Sequence, residues 1–258
     1  MEEIFYEAAR RGKVGNVKEM LWKNPNLNVN WSNEIDEGST ALIIACDNGH
    51  DSIVSILLTH PDIDVNQKDL NGWTPFNCAC FAGSTSCVRL LLNDSRVTLN
   101  QTTEYGNTPL YWAARQGHLD VVRWWIASGR EMDLGEPGND KTDAILKSKN
   151  VEETEVVALL ERFKENPVEC RHQVRLELGL IDELAAEIFA IVVFVSDGLL
   201  QVTQGDGSTS AAVRFFALAS RLPLELQMVL CYCLVGSCKE IIPGRECEMA
   251  FRELARRM

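Results

Sequence analysis

The sequence predicts an all-α fold: a solenoid of helix–turn–helix units carrying short β-hairpin fingers, followed by a C-terminal helical bundle. Three observations carry this reading. The phrase Asn71-Gly-Trp-Thr-Pro-Phe-Asn-Cys-Ala-Cys-Phe-Ala-Gly83 is echoed by Gly38-Ser-Thr-Ala-Leu-Ile-Ile-Ala-Cys-Asp-Asn-Gly-His50 and by Gly106-Asn-Thr-Pro-Leu-Tyr-Trp-Ala-Ala-Arg-Gln-Gly-His118. Its threonines at 40, 74 and 108, and its glycines at 49, 83 and 117, advance in steps of 34. After each glycine comes an i, i+3, i+4 apolar stripe, and past Asn166-Pro167 the period is lost while helical patterning continues.

The local chemistry justifies each element in turn. Residues 1–37 form a cap: Phe5, Ala8 and Gly12 take the places of Leu42, Ala45 and Gly49, and Glu2-Glu3 suit a solvated outer helix. Its glycine lies 37 residues before the next, an excess assigned to Asn24-Pro25-Asn26 and to the finger from Trp31 to Glu37. Full units follow at 38–71, 72–105 and 106–139. In each, Thr40, Thr74 or Thr108 caps the inner helix, and Pro75 and Pro109 fit the first helical position, where no amide donor is needed. Ala45, Ala79 and Ala113 let neighbouring helices approach closely, and Gly49, Gly83 and Gly117 suit the left-handed turn that ends them. The outer helices present Val54-Leu57-Leu58, Val88-Leu91-Leu92 and Val122-Trp125-Ile126. Truncating Leu58 or Leu92 to alanine at such a seam is expected to cost about 2–5 kcal/mol.

From 140 to 166 the pattern decays into a degenerate closing unit. Thr142 lies 34 after Thr108, Asp143 stands for the proline, Val151 for the turn glycine, and Val156, Leu159 and Leu160 repeat the stripe. The first domain is therefore set at 1–166. Residues 167–258 form an all-helical second domain, with helices at about 168–178, 181–202, 209–220, 223–238 and 245–257. Ile188–Val195 is apolar on most faces, yet far shorter than the roughly 20 residues of a membrane span. Trp124 and Trp125 offer a docking face for this domain.

Charge and composition exclude some functions. A net charge of −12 over 258 residues argues against a nucleic-acid surface and favours basic or neutral partners. The start, Met-Glu-Glu-Ile-Phe-Tyr-Glu, has neither the basic nor the apolar region of a secretory signal. Of nine cysteines, Cys46 and Cys80 occupy small apolar positions, as core residues in a reducing compartment would. Cys78/Cys80 and Cys231/Cys233 are spaced i, i+2, which separates thiols around a helix, so neither a metal nor a cofactor is expected. The four histidines, His50, His60, His118 and His172, come without a nucleophile elbow, phosphate loop or metal spacing, so the chain is read as no enzyme.

The Thr-Pro-Leu opening at 108–110 and the fixed period resemble the ankyrin repeat from residue 1 to about 134, and more weakly to about 166. The sequence departs from that pattern where Ile43, Asn77 and Tyr111 replace the histidine that usually bonds the threonine hydroxyl, and where Ala41 replaces proline. The resemblance implies a protein–protein interaction scaffold that binds a protein partner on its concave face and fingers. Carried onto this chain, the finger positions are Asp36, Glu37, Ser39, Leu70, Asn71, Trp73, Glu104, Tyr105 and Asn107. The inner-helix positions are Asp47, Asn48, Phe81, Arg115 and Gln116. Trp73 is expected to act as a hot spot whose loss spares the melt. The alternative is a substrate adaptor of a ubiquitin ligase: Leu222-Pro-Leu-Glu-Leu226 is similar to an F-box opening, and Cys170-Arg171 with Leu176–Gly179 to part of a SOCS box. The expected setting is the cytoplasm or nucleus, without membrane or nucleic-acid partners, as a monomer or as a homodimer through 167–258.

Overall fold

The computed structural model describes residues 1–196 together with 219, 227–228, 230–231 and 250. Chain contacts divide into two compact units, Met1–Arg171 and His172–Met258.

The first unit is a two-layer stack of helix pairs. The inner layer consists of α1 (Glu2–Arg10), α3 (Ala41–Asp47), α5 (Pro75–Ala82), α7 (Pro109–Arg115) and α9 (Ala144–Asn150). The outer layer consists of α2 (Val14–Lys23), α4 (Asp51–Leu58), α6 (Thr85–Asn93), α8 (Leu119–Ser128) and α10 (Thr154–Glu165). Each inner helix packs on the next inner helix and each outer helix on the next outer one. Buried alanines at 45, 79 and 113 line the inner seam, while Val17, Val54, Val88 and Val122 run along the outer one. The stripe's later positions fill in along the stack. Leu21, in a cap whose outer helix has a neighbour on one side only, and Leu58 in the next unit are half-buried, whereas Leu92 and Ile126 are buried.

Threonine caps start the inner helices as the sequence predicts. Oγ of Thr40, Thr74 and Thr108 accepts from the amides of Ile43, Asn77 and Tyr111 at 3.3, 3.2 and 3.1 Å. The expected loss of the bond to the threonine hydroxyl does not hold in the third unit. Asn77 Oδ1 accepts from Thr74 Oγ, and its Nδ2 donates to Gln101 O at 3.2 Å, so asparagine ties this helix start to the approach to the next finger. In the last pair the frame moves by one residue. The cap is Asp143, not Thr142, accepting from Leu146 N at 2.9 Å. The left-handed turn residue is Glu152 at φ 62°, while Val151 keeps a negative φ of −108°.

Hydrogen bonds between units supply the order that helix packing alone would leave loose. His50 and His118 each place Nε2 on a backbone carbonyl of the preceding unit, Arg10 O at 3.0 Å and Phe81 O at 2.9 Å. The second of these requires glycine at 83, where a Cβ would lie 2.6 Å from the His118 ring. A ladder of Asn30, Asn66 and Asn100 joins the loops: Asn66 Nδ2 donates to Arg96 O, and its Oδ1 accepts from Thr98 N, both at 2.8 Å. The guanidinium of Arg130 donates to the carbonyls of Leu92, Asp94 and Val97, closing the end of α6.

The fingers project from the inner side. The first contains the antiparallel pair β1 (Ser32–Asn33) and β2 (Ser39–Thr40), with a 3-10 turn between them. Gly38 N closes on Asn33 O, whereas Gly72 closes on Asp69 and Gly106 on Thr103, so the first finger is longer by two residues. Fingers stack through Leu70 N to Glu37 O at 2.8 Å and Glu104 N to Asn71 O at 3.0 Å.

At the end of this unit, α11 (Pro167–Glu177) begins. There Cys170 is buried and Arg171 Nε donates to Ile126 O at 3.2 Å. In the second unit, α12 (Leu180–Ser196) contributes Ala185, Ala186, Phe189, Ala190 and Val192 to a core with Ala219, Cys231 and Ala250. The region is helical where described. The helices expected over 209–220, 223–238 and 245–257, and Leu222–Leu226, lie largely or wholly outside the described residues. Among the described residues no helix is long and apolar enough to cross a membrane.

Candidate protein-binding face

The candidate face is lined by the fingers and by residues of the inner helices. In α3, α5 and α7, the first and second turns carry equivalent columns, the first buried and the second exposed or half-buried. Ile44, Cys78 and Trp112 form one, and Asp47, Phe81 and Arg115 the other. Large residues in these columns meet the finger of a neighbouring unit. Trp73, at the base of the second finger, stacks on Trp112 with centroids 5.0 Å apart and planes at 27°. Phe81 meets both rings edge-on, at 5.3 Å from Trp73 and 5.5 Å from Trp112. Tyr111 abuts Trp112 at 5.2 Å, so four aromatic residues form a continuous cluster. Trp112 Nε1 is buried in it without an acceptor.

Charge flanks the cluster asymmetrically. On the α7–α9 side, the Arg115 guanidinium lies 5.3 Å from the Trp112 centroid and Lys147 Nζ 5.5 Å from that of Tyr111. On the α3 side, a cavity of about 270 Å³ opens among Asp36, Glu37, Asp47, Asp69, Trp73 and Phe81. Asp69 Oδ1 accepts from the amides of Asn71 and Trp73 at 2.9 and 2.8 Å, fixing the finger turn. Burial nevertheless pushes its carboxyl above the ordinary range, with Glu37 and Glu104 adding to the rise against those two hydrogen bonds. Asp47 is raised by partial burial and then by Asp36. Asp36 accepts from the Tyr6 hydroxyl, and Arg10 Nη1 stands 3.5 Å from it.

A raised carboxyl binds its proton more tightly in the folded chain than in the unfolded one. Its contribution to stability is therefore fully present below the unfolded value of about 3.9 and falls away as pH rises through the raised folded value. Asp47→Asn is expected to flatten that slope and to raise the melting temperature at neutral pH. Melts from pH 4 to 8 check this, and an unchanged slope would show that Asp47 is not held above its ordinary value by burial and by Asp36.

The structure separates the sequence-predicted residues. Glu37, Asp47, Asn48, Leu70, Glu104, Tyr105, Arg115 and Gln116 are exposed, and Asp36, Asn71, Trp73 and Phe81 are half-buried. Ser39 and Asn107 depart from the expected finger surface: both are inside, at 6% and 7% exposure, although Ser39 still lines the cavity beside α3. Asn107 Nδ2 donates to Lys141 O at 3.0 Å, so it serves the stacking of units. Trp73 is also less free than expected, because its stack on Trp112 contributes to the fold. Trp125 lies in the core, and Arg89 covers Trp124 at 3.9 Å, leaving no bare pair of indoles. The Ile44–Cys78–Trp112 column went unread, although a tryptophan 34 residues after a small cysteine was a legible signal.

The cysteines sit where the apolar reading puts them. Cys46, Cys78, Cys80 and Cys87 are buried and free, and burial pushes the thiols of Cys46, Cys78 and Cys80 up. A larger hollow of about 800 Å³ lies by α9 and α10 among Leu134, Pro137, Leu146, Lys149 and Lys164, and no aromatic residue lines it.

Comparison with known proteins agrees with this architecture. The family model described as ankyrin repeats (3 copies) matches residues 5–103 and 61–135. Osteoclast-stimulating factor 1 of Rattus norvegicus is 38% identical over 69 residues, which is 26% of this chain and 30% of that protein. The proteins of that name from Mus musculus and Sus scrofa are 36% and 39% identical over the same length. This chain thus spans 30% of the length of these curated relatives. With its capped inner helices, left-handed turns and stacked fingers, and with the family model covering residues 5–135, the chain belongs to the ankyrin-repeat family.

Proposed function

We propose that this chain is a non-catalytic interaction scaffold that holds a protein partner against the concave face and fingers of its repeats. Ankyrin repeats indicate a protein–protein interaction role. The observation that carries the finer reading is the Trp73–Phe81–Trp112 cluster, half-open between fingers and inner helices where the stacking of units does not demand aromatic residues. Rigid aromatic surface beside an arginine has the composition of an interface hot spot. In this reading residues 1–166 recognise the partner, and 167–258 form a separate helical domain of a cytoplasmic or nuclear protein.

Affinity capture on the full chain, followed by titration of the captured partner, tests the proposal. Trp73→Ala is expected to weaken binding at least tenfold and also to lower the melting temperature, because the stack on Trp112 is lost. Tyr105→Ala separates the two effects. That side chain is 62% exposed at a finger tip, so its loss should weaken binding several-fold with the melt unchanged. Full affinity in both variants removes the concave face as the site.

A further inference from the structure

The cavity beside α3 has a definite chemistry. Asp36, Glu37, Asp47 and Asp69 line it with two aromatic residues, and no lysine or arginine is among its lining residues. Arg10 approaches Asp36 at 3.5 Å but also pairs with Glu7 at 3.7 Å, leaving the other carboxylates uncompensated by it. The hydroxyl of Ser39, buried in the same wall, has no hydrogen-bond partner of good geometry, although the Tyr6 hydroxyl is near. It can accept one more donor. At about 270 Å³ the space falls below the roughly 300–1,000 Å³ of pockets that enclose a drug-sized ligand, and suits one long side chain. Two repeats away, on α7, the charge reverses at Arg115, and Lys147 of α9 reaches over the Tyr111 ring of α7; neither has a carboxylate partner among the described residues.

We infer that this cavity takes a lysine or arginine side chain from an extended segment of the partner, which then crosses the aromatic cluster and meets Arg115 and Lys147 with a carboxylate. The inference rests on the concave-face reading. The carboxylates and Ser39 receive the cation's donors, and Trp73 and Phe81 flank its aliphatic stem. Spacing follows from the architecture. Adjacent packed helices lie about 8–10 Å apart, so two steps from α3 to α7 span roughly 16–20 Å. An extended chain covers about 3.3 Å per residue, which places the acidic residue about five or six positions from the basic one.

The test uses the full chain and synthetic peptides on an alanine background, with one fixed lysine, a leucine midway, and a glutamate moved from two to eight positions away in either direction. Binding is read by fluorescence anisotropy at low salt. Affinity is expected to peak at a separation of five or six and to fall with added salt. Asp47→Lys, at an exposed rim position, should lower the affinity of the best peptide at least tenfold and shift preference to a peptide with glutamate in place of the lysine. Equal affinity for lysine and glutamate at the first position, or binding unaffected by Asp47→Lys, overturns the inference. Should Trp73→Ala still abolish that binding, the concave-face reading survives alone. Binding that neither variant changes overturns both, and no binding to any peptide at millimolar concentration overturns the basic-segment inference.

Discussion

Trp125→Ala is expected to be the most damaging single change in the repeats, at about 3–5 kcal/mol. The indole is fully buried in α8 and meets Phe76 of α5 edge-on, with centroids 4.9 Å apart and planes at 84°. Phe76 is itself fully buried, so alanine leaves a cavity between an inner and an outer helix of adjacent units. The same indole donates Nε1–H to Glu131 O at 3.1 Å, and its removal strips that carbonyl of a partner just after the helix. Trp125→Phe separates the two contributions: it restores most of the packing without the donor, and should cost about 1–2 kcal/mol. Urea unfolding of the full chain measures both. A loss below 1 kcal/mol for the alanine variant would show that the ring is not part of the core.

Leu92→Ala should cost about 2–5 kcal/mol and Leu58→Ala clearly less, although the two occupy the same place in the repeat. Leu92 is 5% exposed. Leu58 is half-buried, nearer the cap, where Leu21 and Met20 are half-exposed as well. The equal cost that the repeat pattern suggests for the two leucines thus gives way to a gradient along the stack. Unfolding of both variants side by side checks it, and identical losses would mean that burial at this position does not vary along the solenoid.

That difference marks the boundary between what was legible and what was not. The helix starts at Thr40, Thr74 and Thr108, the turns at Gly49, Gly83 and Gly117, and the alternation of inner and outer helices rest on contacts within three or four residues. Short-range rules of capping and left-handed backbone suffice for those. The same rules misplaced the closing pair by one residue. Thr142 matched the period better than Asp143, but the side chain that caps is the one whose acceptor reaches the third amide of the helix.

The candidate face was legible in outline only. Aspartates, aromatic residues and Arg115 stood at the finger and inner-helix columns, and most of them are at least half-exposed. Trp73 and Trp112 are neighbours because the finger of one unit lies against the inner helix of the next. The way a finger crosses its neighbour depends on the offset between stacked units, which no local pattern encodes. The same offset buries Ser39 and Asn107, and it gathers Asp36, Glu37, Asp47 and Asp69 from two units around one cavity. Local pattern was enough for the period, the caps and turns of the three full units, and the family. Tertiary structure alone decided which side chains of adjacent repeats meet, because those contacts are set by how far each unit slides and turns on the one before it.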